Sequence, residues 1–185
     1  MTLLSPAVFL DRDGVLNEPV MRDRRPYAQL DPEALSVIEG VGPLLAELKA
    51  LGFLLIVVTN QPDVARGTVT REAVERIHER LRRELPALDA VFACFHDDED
   101  GCTCRKPRPG LLLDAARSFG VDLGRSFLVG DRWRDVDAGR AAGCTTVFVD
   151  HGWDERGPRT PPDVRVASAV EGLETVRRLQ EARRA

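Results

Sequence analysis

The 185-residue sequence lacks several features that would assign a protein to a class at once. It has no apolar run approaching the roughly 20 residues that a helix needs to cross a bilayer. Its first residues, MTLLSPAVFLDRDG, contain no basic segment ahead of an apolar one and do not resemble a signal peptide. It also has no excess of positive charge, since the formal net charge is −4, and phosphate backbones recruit basic surfaces. These absences predict a cytoplasmic protein that binds neither a membrane nor nucleic acid, and we expect a monomer.

Cysteine is scarce too, and its four copies are unevenly placed. Cys94, Cys102 and Cys104 lie close to His96, and only Cys144 lies elsewhere. A disulfide framework would spread its pairs along the chain, so a metal site in a reducing compartment is the better explanation. Nitrogen and sulfur ligands suit tetrahedral Zn²⁺, and a complete set of four leaves no position for water. The cluster therefore predicts a structural zinc site in a loop over 94–104.

Apolar strand-like runs alternate with helical patterns, which is typical of a parallel sheet with crossover helices. The length fits one domain over 1–185, and 43% hydrophobic residues supply a sizeable core. The fold class predicted is α/β, a Rossmann-like three-layer sandwich with a central parallel sheet. We expect strands at 7–10, 53–58, 91–95, 126–129 and 145–149. We expect helices at 41–51, 109–119, 135–142 and 169–184, and a further one that Thr70 caps.

Polar side chains follow three of these strands at the point where each strand ends. They are Asp11, Thr59 and Asp131. Because the carboxyl ends of parallel strands share one crevice, where ligands bind, we expect the three side chains to lie close together.

Four short motifs carry the candidate chemistry: FLDRDGVLN (9–17), VVTNQ (57–61), CRKPRPG (104–110) and VGDRWRDVDAG (129–139). Each alone has a structural explanation, such as a solvated turn or aspartates favoured at a helix N-terminus. In this order, each at a strand end, they resemble the haloacid-dehalogenase-like (HAD-like) phosphohydrolase superfamily over roughly residues 7–150.

This resemblance implies catalytic roles for four aspartates. Asp11 would be the nucleophile that forms an aspartyl-phosphate, and Asp13 would protonate the leaving oxygen and then activate water. Asp11 and Asp131, with the backbone carbonyl of Asp13, would hold Mg²⁺, which prefers oxygen ligands. Asp135 would support the magnesium site without being a ligand. A cation is needed because a carboxylate must attack an anionic phosphate ester.

The resemblance also implies which residues hold the substrate. Thr59 and Lys106 would bind the phosphoryl oxygens, and Asn60 would shape the same loop. Arg105, beside Lys106, favours a second anionic group on the substrate. Arg132 is a further candidate for contact with the substrate.

Two features narrow the branch of the superfamily. The spans 17–41 and 59–106 are too short for a cap domain, so we expect an open active site. The cysteine cluster, together with FLDRDGVLN, ARG (65–67) and CRKPRPG, is similar to the D,D-heptose 1,7-bisphosphate 7-phosphatase family. The histidinol-phosphate phosphatase domain is its close relative and carries a similar zinc loop. Pro62, Asp63, Phe95 and Asp97 depart from the usual heptose pattern.

The expected function is Mg²⁺-dependent removal of the 7-phosphate from D-glycero-D-manno-heptose 1,7-bisphosphate. Histidinol phosphate or another phosphosugar is the alternative substrate, and a non-catalytic, zinc-stabilised binding module is the alternative from another class.

The remaining candidates have weaker signals. His78 lies on a charged helix face and is expected to be exposed to solvent. His151 is expected to have a structural role in its loop. Arg66, Trp133 and Trp153 either border the substrate entrance or are surface and packing residues.

Overall fold

A six-stranded parallel sheet forms the centre of the computed structural model, which describes residues 4–184. The strands in chain order are β1 (Ala7–Leu10), β2 (Val20–Arg22), β3 (Arg25–Tyr27), β4 (Leu54–Asn60), β5 (Ala90–Cys94), β6 (Phe127–Gly130), β7 (Thr145–Val149) and β8 (Val164–Val166). The central sheet has the order β5-β4-β1-β6-β7-β8, and β2 and β3 form a separate antiparallel hairpin.

Helices cover both faces of this sheet. They are α1 (Val41–Ala50), α2 (Arg71–Glu84), α3 (Gly110–Phe119), α4 (Trp133–Ala142) and α5 (Ala169–Arg184). One core cluster joins α1, α2 and α5 to one face, and a second joins α3 and α4 to the other. The predicted three-layer α/β sandwich is therefore confirmed. Between residues 4 and 184, no helix combines the length and apolar character that crossing a bilayer requires.

The alternation of side chains in β1 explains why the strands are continuously apolar. Val8 and Leu10 contribute to the core under α1 and α5, whereas Ala7 and Phe9 contribute to the core under α3 and α4. Strands covered on both faces have no polar side, so apolar residues occupy every position. Full burial of a side chain such as Phe9 stabilises the fold by about 1.5–3 kcal/mol.

The helix predicted after Thr70 is α2. The Thr70 hydroxyl accepts a hydrogen bond from the Ala73 amide at 3.2 Å, which satisfies one of the free amides at a helix start. Val74, Ile77 and Leu81 recur at helical spacing and are fully buried. The capping residue and the apolar stripe together determine where this helix begins and which face it buries.

The hairpin and β8 were not predicted. The hairpin turn is made by Asp23 and Arg24, both with positive φ (48° and 62°), where a sequence signal would normally include glycine. Each of these strands has only three residues, and their burial patterns include exposed positions. Between β1 and α1 the described chain contains only this hairpin and a short 3-10 turn, Pro32–Ala34, so the site carries no cap there.

The strand order creates a crevice between β1 and β6. The chain leaves β1 toward α1 on one face of the sheet and leaves β6 toward α4 on the other. The carboxyl ends of two such adjacent strands open into a crevice, which is where open α/β sheets bind ligands. Asp11 and Asp131 follow these two strands directly.

Candidate active site

Three buried carboxylates meet at the crevice. Asp11, Asp131 and Asp135 each offer an oxygen atom, and these atoms all lie within 4.8 Å of one another. Two glycines make the approach possible. A side chain on Gly14, whose φ is +84°, would collide with the carboxylate of Asp131, and one on Gly130 would collide with Asp135. The glycines of the first and fourth motifs are therefore required by the position of the acids.

Lys106 supplies the positive charge of this carboxylate cluster. Its Nζ donates to Asp11 Oδ1 at 2.8 Å, to Asp135 Oδ1 at 2.5 Å and to the Val58 carbonyl at 2.7 Å. Burial alone would lower the pKa of Lys106, but the carboxylates of Asp11 and Asp135 raise it above its ordinary value. The ammonium therefore stays protonated although it is almost completely buried.

The three carboxylates of the cluster outnumber its single ammonium, and two of the carboxylates have raised pKa values. Burial raises the pKa of Asp11 to about 6, against the opposing effect of Lys106 and with the help of the Asp135 charge. Burial also raises the pKa of Asp131 well above its ordinary value, and the charges of Asp11 and Asp135 raise it further. When all three are ionised, the carboxylates carry more negative charge than Lys106 neutralises.

The donor set fits a hard divalent cation. Asp131 Oδ1 is buried and accepts no hydrogen bond from any residue between 4 and 184. Buried polar atoms are almost always satisfied, so an orphaned carboxylate oxygen beside Asp11 is a candidate ligand position. Carboxylate oxygens are what Mg²⁺ prefers in proteins. Asp135, by contrast, engages both of its oxygens, one with Lys106 and the other with the Arg132 amide at 3.0 Å.

Asp13 is held by four neighbours. It accepts hydrogen bonds from the Arg12 guanidinium at 3.0 Å (Nε), from Asn17 Nδ2 at 3.0 Å, from the Gln29 amide at 2.9 Å and from Gln61 Nε2 at 3.2 Å. Its side chain lines the same cleft as Asp11. No role was predicted for Arg12 or Gln61, although both lie inside the motifs FLDRDGVLN and VVTNQ.

The prediction that His78 is exposed is wrong. His78 is buried, and its Nε2 lies 3.3 Å from a guanidinium nitrogen of Arg12, which is itself fully buried. Burial, and then the positive charge of Arg12, lower the pKa of His78 to about 3. A neutral imidazole can accept the hydrogen bond that Arg12 donates. Neighbouring charged residues on α2 obscured this position in the sequence.

The end of β4 positions Lys106. Asn60 Nδ2 donates to the Lys106 carbonyl at 3.0 Å, and the Lys106 amide donates to Asn60 Oδ1, also at 3.0 Å. The Asn60 amide, which we predicted among the phosphate-binding residues, is thus engaged with the backbone of Lys106. Thr59 is buried and accepts a hydrogen bond from Gln61 Nε2 at 2.9 Å, and its side chain lines the cleft.

The loop after β7 reaches the carboxylate cluster. Trp153 Nε1 donates to Asp131 Oδ2 at 2.8 Å. His151 Nε2 lies 2.9 Å from the Gly14 carbonyl, and the His151 and Trp153 rings stack with centroids 4.6 Å apart. Trp153 is therefore a neighbour of a candidate metal ligand. In the sequence Trp153 resembles a packing residue, because it lies 22 positions from Asp131.

A cleft of about 270 Å³ opens above the cluster. Four arginines line it: Arg66, Arg105, Arg132 and Arg134. Arg132 pairs with Glu155, and Arg66 Nε pairs with Asp97 Oδ2 at 2.6 Å. Arg66 and Arg132 therefore already have acidic partners, and an anionic substrate would meet paired rather than free cations at these two positions.

Arg105 is not the solvated residue that its position in a basic turn would allow. It is 8% exposed, and its Nε donates to Asp98 Oδ1 at 2.8 Å. A second contact joins a guanidinium nitrogen to the His96 carbonyl at 3.3 Å. Arg105 thus lies at the cleft wall, fixed against the loop that carries the cysteines.

The four predicted zinc ligands come together. The Sγ atoms of Cys94 and Cys104 are 3.2 Å apart, those of Cys102 and Cys104 3.5 Å, and those of Cys94 and Cys102 3.7 Å. His96 Nδ1 lies 3.3 Å from Cys104 Sγ. A Zn–S bond of about 2.3 Å gives sulfur separations of about 3.8 Å in a tetrahedron. The cluster could therefore hold zinc, and its sulfur atoms are too far apart for a disulfide, which needs about 2.05 Å.

Comparison with known proteins agrees with this geometry. Residues 103–175 match a family model described as HAD-hydrolase-like. The chain is 36% identical to D-glycero-β-D-manno-heptose-1,7-bisphosphate 7-phosphatase from Bordetella bronchiseptica, over 78% of this chain and 80% of that protein. It is 38% identical to the enzyme of that name from Helicobacter pylori, over 75% of this chain and 79% of that protein.

A solved structure is similar over the whole fold. The crystal structure of D,D-heptose 1,7-bisphosphate phosphatase from Bordetella bronchiseptica, complexed with magnesium and phosphate, superposes with a TM-score of 0.76 at 30% identity. The similarity covers 95% of this chain and 99% of that one.

Proposed function

The chain belongs to the HAD-like family of D-glycero-β-D-manno-heptose-1,7-bisphosphate 7-phosphatases, and on that basis we propose that it hydrolyses the 7-phosphate of this sugar bisphosphate. It is a phosphoric monoester hydrolase. The observation that carries the proposal is the buried cluster of Asp11, Asp131 and Lys106 at the strand ends. Its carboxylates, its ammonium and its unsatisfied ligand oxygen match what transfer of a phosphoryl group to a carboxylate requires.

In the proposed reaction, an Asp11 oxygen attacks phosphorus and the bond from phosphorus to the C7 oxygen breaks. Asp13 gives its proton to that oxygen, so the sugar leaves as an alcohol. Water then attacks the aspartyl-phosphate while Asp13 takes its proton, which releases inorganic phosphate and restores both carboxyl groups. Arg12, Asn17 and Gln61 hold Asp13 for both proton transfers.

Lys106 and Thr59 bind the phosphoryl oxygens in this proposal. Lys106 also relieves the repulsion between the incoming phosphate and Asp11, since its ammonium already contacts that carboxylate. Asp11 and Asp131, with the Asp13 carbonyl, would hold Mg²⁺, and the bound ion would supply the remaining positive charge. Asp135 supports the site by orienting Lys106, and Asn60 fixes the backbone of the same lysine. Arg105 and Arg132 contact the remainder of the substrate.

We also propose that Cys94, His96, Cys102 and Cys104 hold a structural zinc ion. The last of these ligands directly precedes Arg105 and Lys106 in the chain. The bound zinc would fix the loop from which both cations reach the cleft.

Phosphate release from a set of esters tests the proposed function. With Mg²⁺ present, we expect the heptose 1,7-bisphosphate anomers to be hydrolysed with a much higher kcat/KM than histidinol phosphate. Asp11→Asn should abolish turnover because the amide is a poor nucleophile. Asp114→Asn is the matched control, since the half-exposed Asp114 lies on α3 and does not line the cleft, and this variant should leave the rate unchanged. Faster hydrolysis of histidinol phosphate would contradict the substrate, and full activity of Asp11→Asn would contradict the mechanism.

A further inference from the structure

Asp98 lies between two of the cleft arginines. Arg105 Nε donates to Asp98 Oδ1 at 2.8 Å. From the first turn of α4, the two terminal nitrogens of Arg134 donate to Asp98 Oδ1 and Oδ2 at 2.9 Å and 3.1 Å. All three side chains line the cleft above the carboxylate cluster. One carboxylate thus occupies two guanidinium groups that come from different elements.

Two converging guanidinium groups suit a phosphate group. Each guanidinium presents parallel N–H donors whose spacing matches two oxygens of a carboxylate or a phosphate. Arg105 directly follows Cys104 and precedes Lys106, and Arg134 Nη1 lies 3.5 Å from the Lys106 carbonyl. The arginine pair therefore lines the same cleft as Lys106, beside the position that the proposed function gives to a phosphoryl group.

The two cations are fixed more firmly than the anion between them. The Arg105 side chain is 9% exposed and that of Arg134 is 29% exposed, whereas the Asp98 side chain is 55% exposed. Arg105 keeps further contacts with the His96 carbonyl at 3.3 Å and with Asp97 Oδ1 at 3.6 Å, so it stays in place without Asp98. Ion pairs with an exposed partner contribute little to stability, so a dianionic phosphate can displace this carboxylate.

We propose that Asp98 is a specificity-determining residue that competes with the second phosphate of the substrate for Arg105 and Arg134. This inference rests on the proposed function, because it requires a substrate with two phosphates. A bisphosphate must displace Asp98 before it reaches the arginines, so the carboxylate weakens bisphosphate binding. A monophosphate leaves Asp98 where it is and is unaffected by it.

Binding measurements separate this role from catalysis. The dissociation constants of heptose 1,7-bisphosphate and of the same sugar with only its 7-phosphate are measured by calorimetry with Mg²⁺, in an Asp11→Asn background that does not turn over. Adding Asp98→Asn should tighten bisphosphate binding about fivefold, the factor expected for the loss of one exposed competing ion pair. Binding of the monophosphate should not change.

Glu99→Gln is the matched control. Glu99 is exposed next to Asp98 in the same 3-10 turn, Asp98–Asp100, and its substitution removes the same charge. Within residues 4–184 no hydrogen bond or ion pair joins Glu99 to Arg105 or Arg134. It should leave both dissociation constants unchanged. Equal tightening in Glu99→Gln and Asp98→Asn would reduce the effect to general electrostatics and overturn the proposal. So would an equal effect of Asp98→Asn on both ligands, or no effect.

A second variant addresses the cations themselves. Arg134→Gln removes one of the two receiving groups and should weaken bisphosphate binding severalfold while leaving the monophosphate unchanged. An equal loss for both ligands would overturn the proposal.

If neither heptose ester binds, the proposed function fails, and fructose 1,6-bisphosphate and fructose 6-phosphate then serve as the probe pair for Asp98. With that pair, Asp98→Asn should again tighten binding of the bisphosphate about fivefold and leave binding of the monophosphate unchanged. A different result would overturn the role of Asp98.

Discussion

Individual side chains of this protein matter most where they hold the proposed metal-binding carboxylates in position. Asp131 illustrates this, because one of its oxygens accepts a hydrogen bond from Trp153 and the other has no partner among residues 4–184. The hydrogen bond from the Trp153 indole N–H fixes the orientation of the Asp131 carboxylate, and this also fixes the direction of its second oxygen. Groups that orient a metal ligand in this way commonly affect metal affinity by about 10- to 100-fold.

Trp153→Phe tests this at the scale of one hydrogen bond. The substitution keeps an aromatic ring next to His151 and removes only the donor to Asp131. We expect the Mg²⁺ concentration for half-maximal phosphatase activity to rise about tenfold. The measurement is a magnesium titration of the initial rate at saturating substrate.

Trp133→Phe serves as the control for this variant. Trp133 stacks against the guanidinium groups of Arg134 and Arg156. The Trp133→Phe variant should therefore need the same Mg²⁺ concentration for half-maximal activity as the wild-type protein. An unchanged requirement in Trp153→Phe would show that the indole N–H does not orient the ligand.

At the scale of elements, the segment over 94–104 connects the sheet to the active site. It begins at the end of β5, and the cysteine cluster folds it back so that Lys106 meets Asn60 at the end of β4. Neither β5 nor α3 brings Lys106 to the carboxylates; the loop between them does. The position of the Lys106 ammonium therefore depends on the conformation of a loop whose one regular element is the 3-10 turn Asp98–Asp100.

Cys104→Ser tests the coupling between this loop and the site. We expect the zinc content to fall well below the value of about one per chain for a four-ligand structural site. The melting temperature should fall by about 5 °C, and KM should rise about tenfold because Arg105 and Lys106 lose their support. Elemental analysis, thermal unfolding and steady-state rates measure these three effects.

Cys144→Ala provides the comparison. Cys144 is a buried free cysteine directly before β7 and does not belong to the cysteine cluster. Its substitution should leave zinc content and KM unchanged. Zinc-free protein with full activity would contradict the role given to the loop.

At the scale of the whole molecule, a buried polar network joins α2 to the loop after β1. Arg12 is fully buried, and it contacts His78 on one side and Asp13 on the other. The folded protein keeps His78 neutral, because burial and the charge of Arg12 lower its pKa to about 3. Global stability is thereby linked to pH through this imidazole.

The sign of the linkage follows from the two states. Between pH 6.5 and 3 the unfolded chain binds a proton at His78 that the folded protein does not bind. Stability therefore falls as the pH is lowered through this range. From pH 7 to pH 5 the expected contribution of His78 is a loss of about 2 kcal/mol in the free energy of unfolding.

His78→Gln should remove this contribution, because the glutamine amide oxygen can accept from Arg12 and cannot be protonated. Urea unfolding at pH 7 and pH 5 measures the change. We expect the difference between the two pH values to be smaller in the variant by about 2 kcal/mol. An identical difference in the two proteins would mean that His78 is protonated to the same extent in the folded and unfolded states.

The sequence alone determined the strands of the sheet except β8, all five long helices, and the candidate ligands that lie in short motifs. These depend on local patterns: apolar runs, the Thr70 cap, and cysteines a few residues apart. Asp11, Thr59 and Asp131 could be assigned to one site because strand ends in a parallel sheet face a common crevice. The β2–β3 hairpin and β8 escaped detection because short, partly exposed strands have little hydrophobic pattern.

The tertiary structure decided the partners of the side chains. Three such contacts join distant or irregular segments. They are the hydrogen bond from Trp153 to Asp131, the burial of His78 against Arg12, and the ion pair of Arg105 with Asp98. Such contacts leave no periodic signal, since their geometry is fixed by how helices and loops pack on the sheet. The phosphatase family could therefore be predicted from the strand-end motifs. The orientation of the side chains, their ion pairs and the proposed selectivity of the cleft could be described only from the folded chain.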